Sequence, residues 1–183
     1  NMGIAGMVTG AKSIIIPEVD PSLILRLIEE EKIQHTLFVP AVILFLVQHP
    51  DSATADFSSL ETVIYGASPI TDDTLIKAME LMDCNFWQVY GLTETNGAIT
   101  FLHPDDHDVS RGKLRSCGKA GKDVGLRVVD EDDNDVPVGE VGEVIIQSDN
   151  NMKGYWNRPE ATAESIKDGW FYSGDIGYFD DEG

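Results

Sequence analysis

Over its first hundred residues the chain alternates runs that suit a strand with runs that suit a helix. That alternation most constrains the fold, because it calls for βα units around a mostly parallel sheet. Lys12 to Ile16 reads as a short β-branched strand, after which Asp20 offers an N-cap and Pro21 a first helical residue for a helix to about Lys32. His35 to Val39 is the next strand, and Pro40 opens the next helix. Leu60 to Tyr65 is a third strand, followed by the turn Gly66-Ala67-Ser68-Pro69. Thr71-Asp72-Asp73 then suits a helix N-terminus, since a hydroxyl and two carboxylates face its unpaired amides. That helix reaches about Met82, and Asn85 to Tyr90 is a fourth strand ending at Gly91.

From Ser110 onward the pattern changes to short strands separated by Gly and Asp/Asn turns: Gly125 to Val129, Glu143 to Gln147 and Trp170 to Phe179. Only Ala161 to Lys167 reads as a helix there. The expected fold class is therefore α/β: βα units with a mostly parallel sheet over residues 1–105, then a β-rich, distorted-barrel subdomain over residues 110–183. The seam falls between Phe101 and Gly112, in the loop His103-Pro104-Asp105-Asp106-His107-Asp108.

A hydrophobic content of 42% suffices for a core, and a net charge of -19 repels nucleic-acid phosphates and anionic lipid. The same field opposes a bare nucleotide, so a nucleotide site here needs magnesium and placed donors. Cys84 and Cys117 are far apart and lack Cys-x-x-Cys spacing, which points to two free thiols in the cytoplasm. The longest apolar run, Leu37 to Val47, contains Pro40 and is short of the roughly 20 residues a transmembrane helix needs. No signal-peptide pattern is read. The start at Asn1 without Met and the end in Asp-Asp-Glu-Gly read as a piece of a longer chain.

Gln88-Val89-Tyr90-Gly91-Leu92-Thr93-Glu94-Thr95 stands where a strand ends in a Gly turn, the usual ligand position of an open α/β sheet. Tyr90 offers a flat face for adenine, Thr93 a hydroxyl for a phosphate oxygen and Glu94 a hard oxygen for magnesium. The same residues would also serve as a strand and turn, with Thr93 capping a helix. Gly66-Ala67-Ser68-Pro69 allows backbone to approach a flat ring, and is equally an ordinary βα turn. In Ser173-Gly174-Asp175 the carboxylate could accept both ribose hydroxyls, or the three residues could simply turn the chain. The loop His103 to Asp108 reads as a solvated acidic connection rather than a metal site, and His35 as packed rather than catalytic.

Together these blocks resemble the adenylate-forming superfamily of acyl-CoA ligases, aryl-CoA ligases and luciferases over essentially the whole length. The likeness rests on Tyr65-Gly66-Ala67-Ser68-Pro69-Ile70, Tyr90 to Thr95, Gly142-Glu143-Val144, Met152-Lys153-Gly154-Tyr155-Trp156-Asn157 and Asp168 to Asp175. It implies part of the acyl-CoA synthetase large domain, with ATP, magnesium, CoA and a small-molecule carboxylic acid, fatty or otherwise hydrophobic, as cofactor and substrates. It implies that Gly66, Ala67, Ser68, Gln88, Tyr90 and Gly91 hold the nucleotide, that Thr93 meets phosphate, Glu94 binds magnesium and Asp175 holds ribose. An acyl tunnel lined by Gly6 to Thr9, Tyr65, Leu92, Gly97 and Ala98 follows in the same way. Tyr65 departs from the commoner Gly-Gly-Ala pattern, and Ser173 stands for the usual Thr.

In that family a carboxylate attacks the α-phosphate of ATP, pyrophosphate leaves, and the CoA thiol attacks the acyl-adenylate. Residues 1–183 contain no Ser/Thr/Gly-rich loop ending in Lys-Gly, no Asp-Arg hinge and no mobile lysine-bearing domain. The expectation is that the N-terminal and C-terminal parts of a parent chain supply these, and that residues 1–183 alone are inactive. The competing readings are an aryl-CoA ligase or sibling adenylating enzyme, and a non-catalytic nucleotide-binding or interaction module.

Overall fold

The computed structural model describes residues 2–183, which form two compact units. Unit 1 comprises the chain up to Val89 together with Leu102–Gly118; unit 2 comprises Tyr90–Phe101 and Lys119–Gly183.

Unit 1 holds helices α1 (Met2–Thr9), α2 (Pro21–Glu31), α3 (Pro40–Gln48) and α4 (Asp72–Met82). Its strands are β1 (His35–Phe38), β2 (Thr62–Gly66) and the first part of β3 (Asn85–Leu92). The three strands lie side by side and parallel, with Phe38 opposite Tyr65 and Tyr65 opposite Gln88. Asp20 caps α2 by accepting the Leu23 amide at 3.2 Å, and Thr71 caps α4 by accepting that of Thr74 at 3.3 Å. Both helices stop at a left-handed residue, Lys32 and Asp83. Ile28, Ile43, Leu46, Val63, Leu75, Ala78 and Phe86 form the core, joined by Leu114 from the returning segment. The expected single seam is thus replaced by three crossings, because Leu114 packs into unit 1 although it follows the end of β3.

The expected strand Lys12 to Ile16 is absent: these residues carry no strand, and Ile15 is 88% exposed. β-Branched residues favour extended backbone, but a strand needs a ladder partner. His35, expected to be packed, is exposed at the start of β1. His107 is the reverse case, for it is buried at 7% exposure inside a loop expected to be solvated.

In unit 2, β4 (Gly97–Leu102) pairs antiparallel with β5 (Lys119–Ala120). Strands β6 (Gly125–Val129), β7 (Gly142–Gln147), β8 (Ile166–Lys167) and β9 (Trp170–Gly177) form an antiparallel sheet in the order β6-β7-β9-β8. A register shift between Glu143 and Ile145 bends β7, so the β-rich half is a curled open sheet. Helix α5 (Pro159–Ser165) sits slightly earlier than the expected Ala161 to Lys167, since Pro159 supplies its first turn. Ile99, Ile146 and Phe171 centre the core of this unit, with Tyr90, Leu92, Val144 and Met152 packed against them.

Candidate functional site

In unit 1 the register sets Gly66 opposite Val89 and Tyr65 opposite Gln88. A Cβ on Gly66 would stand 2.1 Å from the Val89 carbonyl oxygen, so close approach of β3 requires glycine there, whatever ligand is present. Ala67 follows at φ 69°, a left-handed conformation that costs a non-glycine residue about 1–3 kcal/mol and recurs at functional turns. Ala67 and Ser68 are exposed at this turn. Gln88 donates from Nε2 to the Cys117 sulfur at 3.9 Å, while its Oε1 is buried without a hydrogen-bond partner. Such an orphaned acceptor costs about 1–3 kcal/mol and suits a ligand N–H donor.

Tyr65 is 1% exposed and belongs to the unit 1 core. Its hydroxyl lies 3.0 Å from His107 Nε2, and His107 Nδ1 lies 2.9 Å from the His103 carbonyl oxygen. The carbonyl can only accept, so Nδ1 carries the proton and the phenol donates to Nε2. Burial raises the Tyr65 phenol above its ordinary value and lowers the His107 imidazole below its own. The phenol therefore serves the core rather than standing as an open wall of a tunnel. Helix α1 does form over Gly6 to Thr9, and Met7 and Val8 are 81% and 83% exposed.

Unit 2 gathers the second half of the motif. The chain leaves β3 at Leu92, turns through Thr93, Glu94, Thr95 and Asn96, and re-enters as β4, so the Thr93-capped helix is not formed. Thr95, 1% exposed, locks this turn: its hydroxyl accepts from the Leu92 amide at 3.0 Å and lies 2.8 Å from the Gly97 carbonyl oxygen. A Cβ on Gly91 would lie 2.0 Å from that same oxygen, which explains the glycine. Leu92 packs against the core; Thr93 and Ala98 are exposed and Gly97 is half-buried.

The Tyr90 hydroxyl donates to Asp175 Oδ2 at 2.6 Å, joining two motif blocks 85 residues apart. Asp175 is itself held in place: its amide donates to Ser173 Oγ at 3.0 Å, and Ser173 Oγ donates to the Val144 carbonyl at 2.6 Å. The Gly174 amide donates to Glu143 Oε1 at 2.9 Å. Serine in place of threonine keeps this bonding, because only the hydroxyl is used.

Glu94 is clamped twice. The Met152 amide donates to its carbonyl at 2.6 Å, and the Tyr155 hydroxyl to its Oε1 at 2.8 Å. That bond to Glu94 raises the Tyr155 phenol above its ordinary value. A cavity of about 370 Å³ has Glu94, Glu143, Tyr155, Lys167 and Tyr172 in its lining. Sequence reasoning missed Thr95, Glu143 and Tyr155 as supports. The Met152 to Asn157 block carried the signal, since a tyrosine inside a shared motif invites the question of what its hydroxyl holds.

No group of three or more His, Cys, Asp or Glu able to hold a metal occurs among the described residues. Glu94 offers one carboxylate, with Tyr155 on Oε1 and Oε2 as the remaining donor. That set fits magnesium arriving on phosphates, which takes one or two carboxylates from protein, and does not fit a standalone cation cage. No helix among the described residues is long and apolar enough to cross a membrane.

A family model described as AMP-binding enzyme matches residues 2–156. The medium/long-chain-fatty-acid–CoA ligase FadD8 of Mycobacterium tuberculosis is 40% identical over 177 residues, covering 97% of this chain and 31% of that protein. The amide bond synthetase McbA from Marinactinospora thermotolerans superposes with a TM-score of 0.89 at 36% identity, covering 96% of this chain and 35% of its own. The N-terminal domain of FACL13 from Mycobacterium tuberculosis gives 0.88 at 35% identity, covering all of this chain and 45% of its own. The chain spans about a third of the length of the ligase it matches, at 31%.

Proposed function

The chain belongs to the AMP-binding enzyme family, and from that premise we propose that it supplies the nucleotide-binding part of an ATP-dependent acid–CoA ligase. The substrate class is a hydrophobic carboxylic acid, following the relative named as a medium/long-chain-fatty-acid–CoA ligase. ATP and CoA are the proposed co-substrates, and the cytoplasm is the proposed compartment.

The observation that carries this reading is the 2.6 Å bond from Tyr90 to Asp175. Asp175 lies beyond the stretch matched by the family model, so its tie to the Tyr90 block comes from that contact. The ring of Tyr90 offers a stacking face to adenine while its hydroxyl aims the carboxylate at the ribose hydroxyls. Thr93, exposed at the turn, donates to a phosphate oxygen. Glu94 would hold magnesium, which supplies neutralisation of phosphate charge when bound. Gln88 and the turn Gly66, Ala67 and Ser68, in unit 1, are proposed as nucleotide contacts on the sequence motifs alone. Leu92, Gly97 and Ala98 are the small and apolar positions for the acyl side, and Gly91 stays with the nucleotide.

In the reaction the acid's oxygen bonds to the α-phosphorus as the bond to pyrophosphate breaks. The thiol of CoA then bonds to the acyl carbon as AMP leaves. Residues 1–183 supply orientation for the first step but no lysine-bearing phosphate loop. Purified residues 1–183 should therefore bind AMP by calorimetry and form no acyl-CoA from ATP, CoA and a fatty acid. Acyl-CoA formed by these residues alone, or an affinity for AMP no greater than for inorganic phosphate, would reject the reading.

A further inference from the structure

We propose that Tyr155 is a positioning residue that orients the Glu94 carboxylate for a metal–nucleotide complex, the orientation being set through Thr162 on α5. The inference rests on the reading of Glu94 given above. All four residues of this relay, Glu94, Met152, Tyr155 and Thr162, belong to unit 2.

The geometry is a short chain of bonds. The Met152 amide fixes the Glu94 backbone at 2.6 Å and the Tyr155 hydroxyl fixes Oε1 at 2.8 Å, so one loop holds both ends of the residue. The loop is in turn tied to the helix, because the Tyr155 amide donates to Thr162 Oγ1 at 2.9 Å. Thr162 Oγ1 then donates to the Arg158 carbonyl at 2.8 Å, one turn back in the sequence. Gly154 completes the fit: a Cβ there would lie 2.7 Å from Thr162 Cγ2, and its φ of 149° suits glycine.

A carboxylate on a turn samples several rotamers, and a metal ligand gains from having its direction set beforehand. With Oε1 engaged by Tyr155, Oε2 is presented to the incoming cation. Phenylalanine at 155 keeps the ring and removes only the hydroxyl, and the site is 36% exposed, so the fold tolerates it.

The test uses residues 1–183 and calorimetric titration with ATP in excess magnesium, ATP in chelator, and AMP in chelator. Tyr155→Phe should weaken binding of the magnesium complex about three- to tenfold and leave AMP unchanged. Thr162→Val should act in the same direction, and Tyr155→Phe should add little once Glu94→Gln is present. A purely structural role would weaken AMP and magnesium–ATP equally and overturns the proposal. Wild-type affinity in Tyr155→Phe, alongside a weakened Glu94→Gln, overturns it while leaving the Glu94 reading intact. Wild-type affinity in Glu94→Gln, or magnesium–ATP bound no better than ATP in chelator, rejects that reading and the inference with it.

Discussion

Replacing Asp175 by Ala removes a carboxylate whose surroundings stay in place. The amides of Gly174 and Asp175 are bonded to Glu143 and Ser173, and Ser173 is bonded to Val144, none through the Asp175 side chain. The substitution thus deletes an acceptor without shifting the backbone that carries it. A hydrogen bond to a charged group contributes about 1.5–3 kcal/mol. Asp175 is exposed, so solvent screening places the effect at the low end, about 1.5–2 kcal/mol or roughly 10- to 30-fold in affinity for ATP. Tyr90→Phe keeps the stacking face and releases only Oδ2, for a smaller loss of about two- to fivefold. The assay is calorimetric titration with ATP and with 2′-deoxy-ATP. Wild-type protein should prefer ATP, and Asp175→Ala should bind the two nearly alike, because the group that reads the ribose hydroxyl is gone. If Asp175→Ala still discriminates between them to the wild-type degree, Asp175 does not contact the ribose, and the reasoning from the Tyr90 bond fails.

Tyr65→Phe leaves His107 Nε2 buried without its donor and should lower stability by about 1–3 kcal/mol in urea unfolding; an unchanged midpoint would contradict the assigned donor direction. The depressed basicity of His107 has a definite sign. Folded protein binds the proton less readily than unfolded protein, so this contribution is present above the ordinary value of 6.5 and is lost as pH falls below it. His107→Gln should flatten the pH dependence of the unfolding midpoint in that range, and an identical slope in the variant would refute the assignment. Gly66→Ala forces a Cβ to 2.1 Å from the Val89 carbonyl oxygen, so β2 and β3 must part; a loss of about 3 kcal/mol or more is expected, and near wild-type stability by thermal unfolding would refute it.

What the sequence determined by itself was the order and type of most elements, together with the blocks that point to a nucleotide. The caps Asp20 and Thr71 and the prolines at the starts of α2 and α3 act through neighbours a few residues away, and β1, β2, β6 and β7 are marked by runs of strand-favouring residues bounded by turns. Such signals survive in a linear reading because the physics behind them is local. Tertiary structure alone decided three further matters. Lys12 to Ile16 has strand propensity and no strand, whereas Gly97–Leu102 is a strand that follows the turn locked by Thr95 and pairs through Thr100 and Phe101 with Ala120 and Lys119. Tyr65 went to the core because its hydroxyl found His107, 42 residues on. Asp175 and Tyr155 reached Tyr90 and Glu94 across 85 and 61 residues. Contacts of that separation depend on which strands pair and in which register, and a one-residue slip would turn the strand residues Tyr65, Tyr90 and Asp175 to the opposite face.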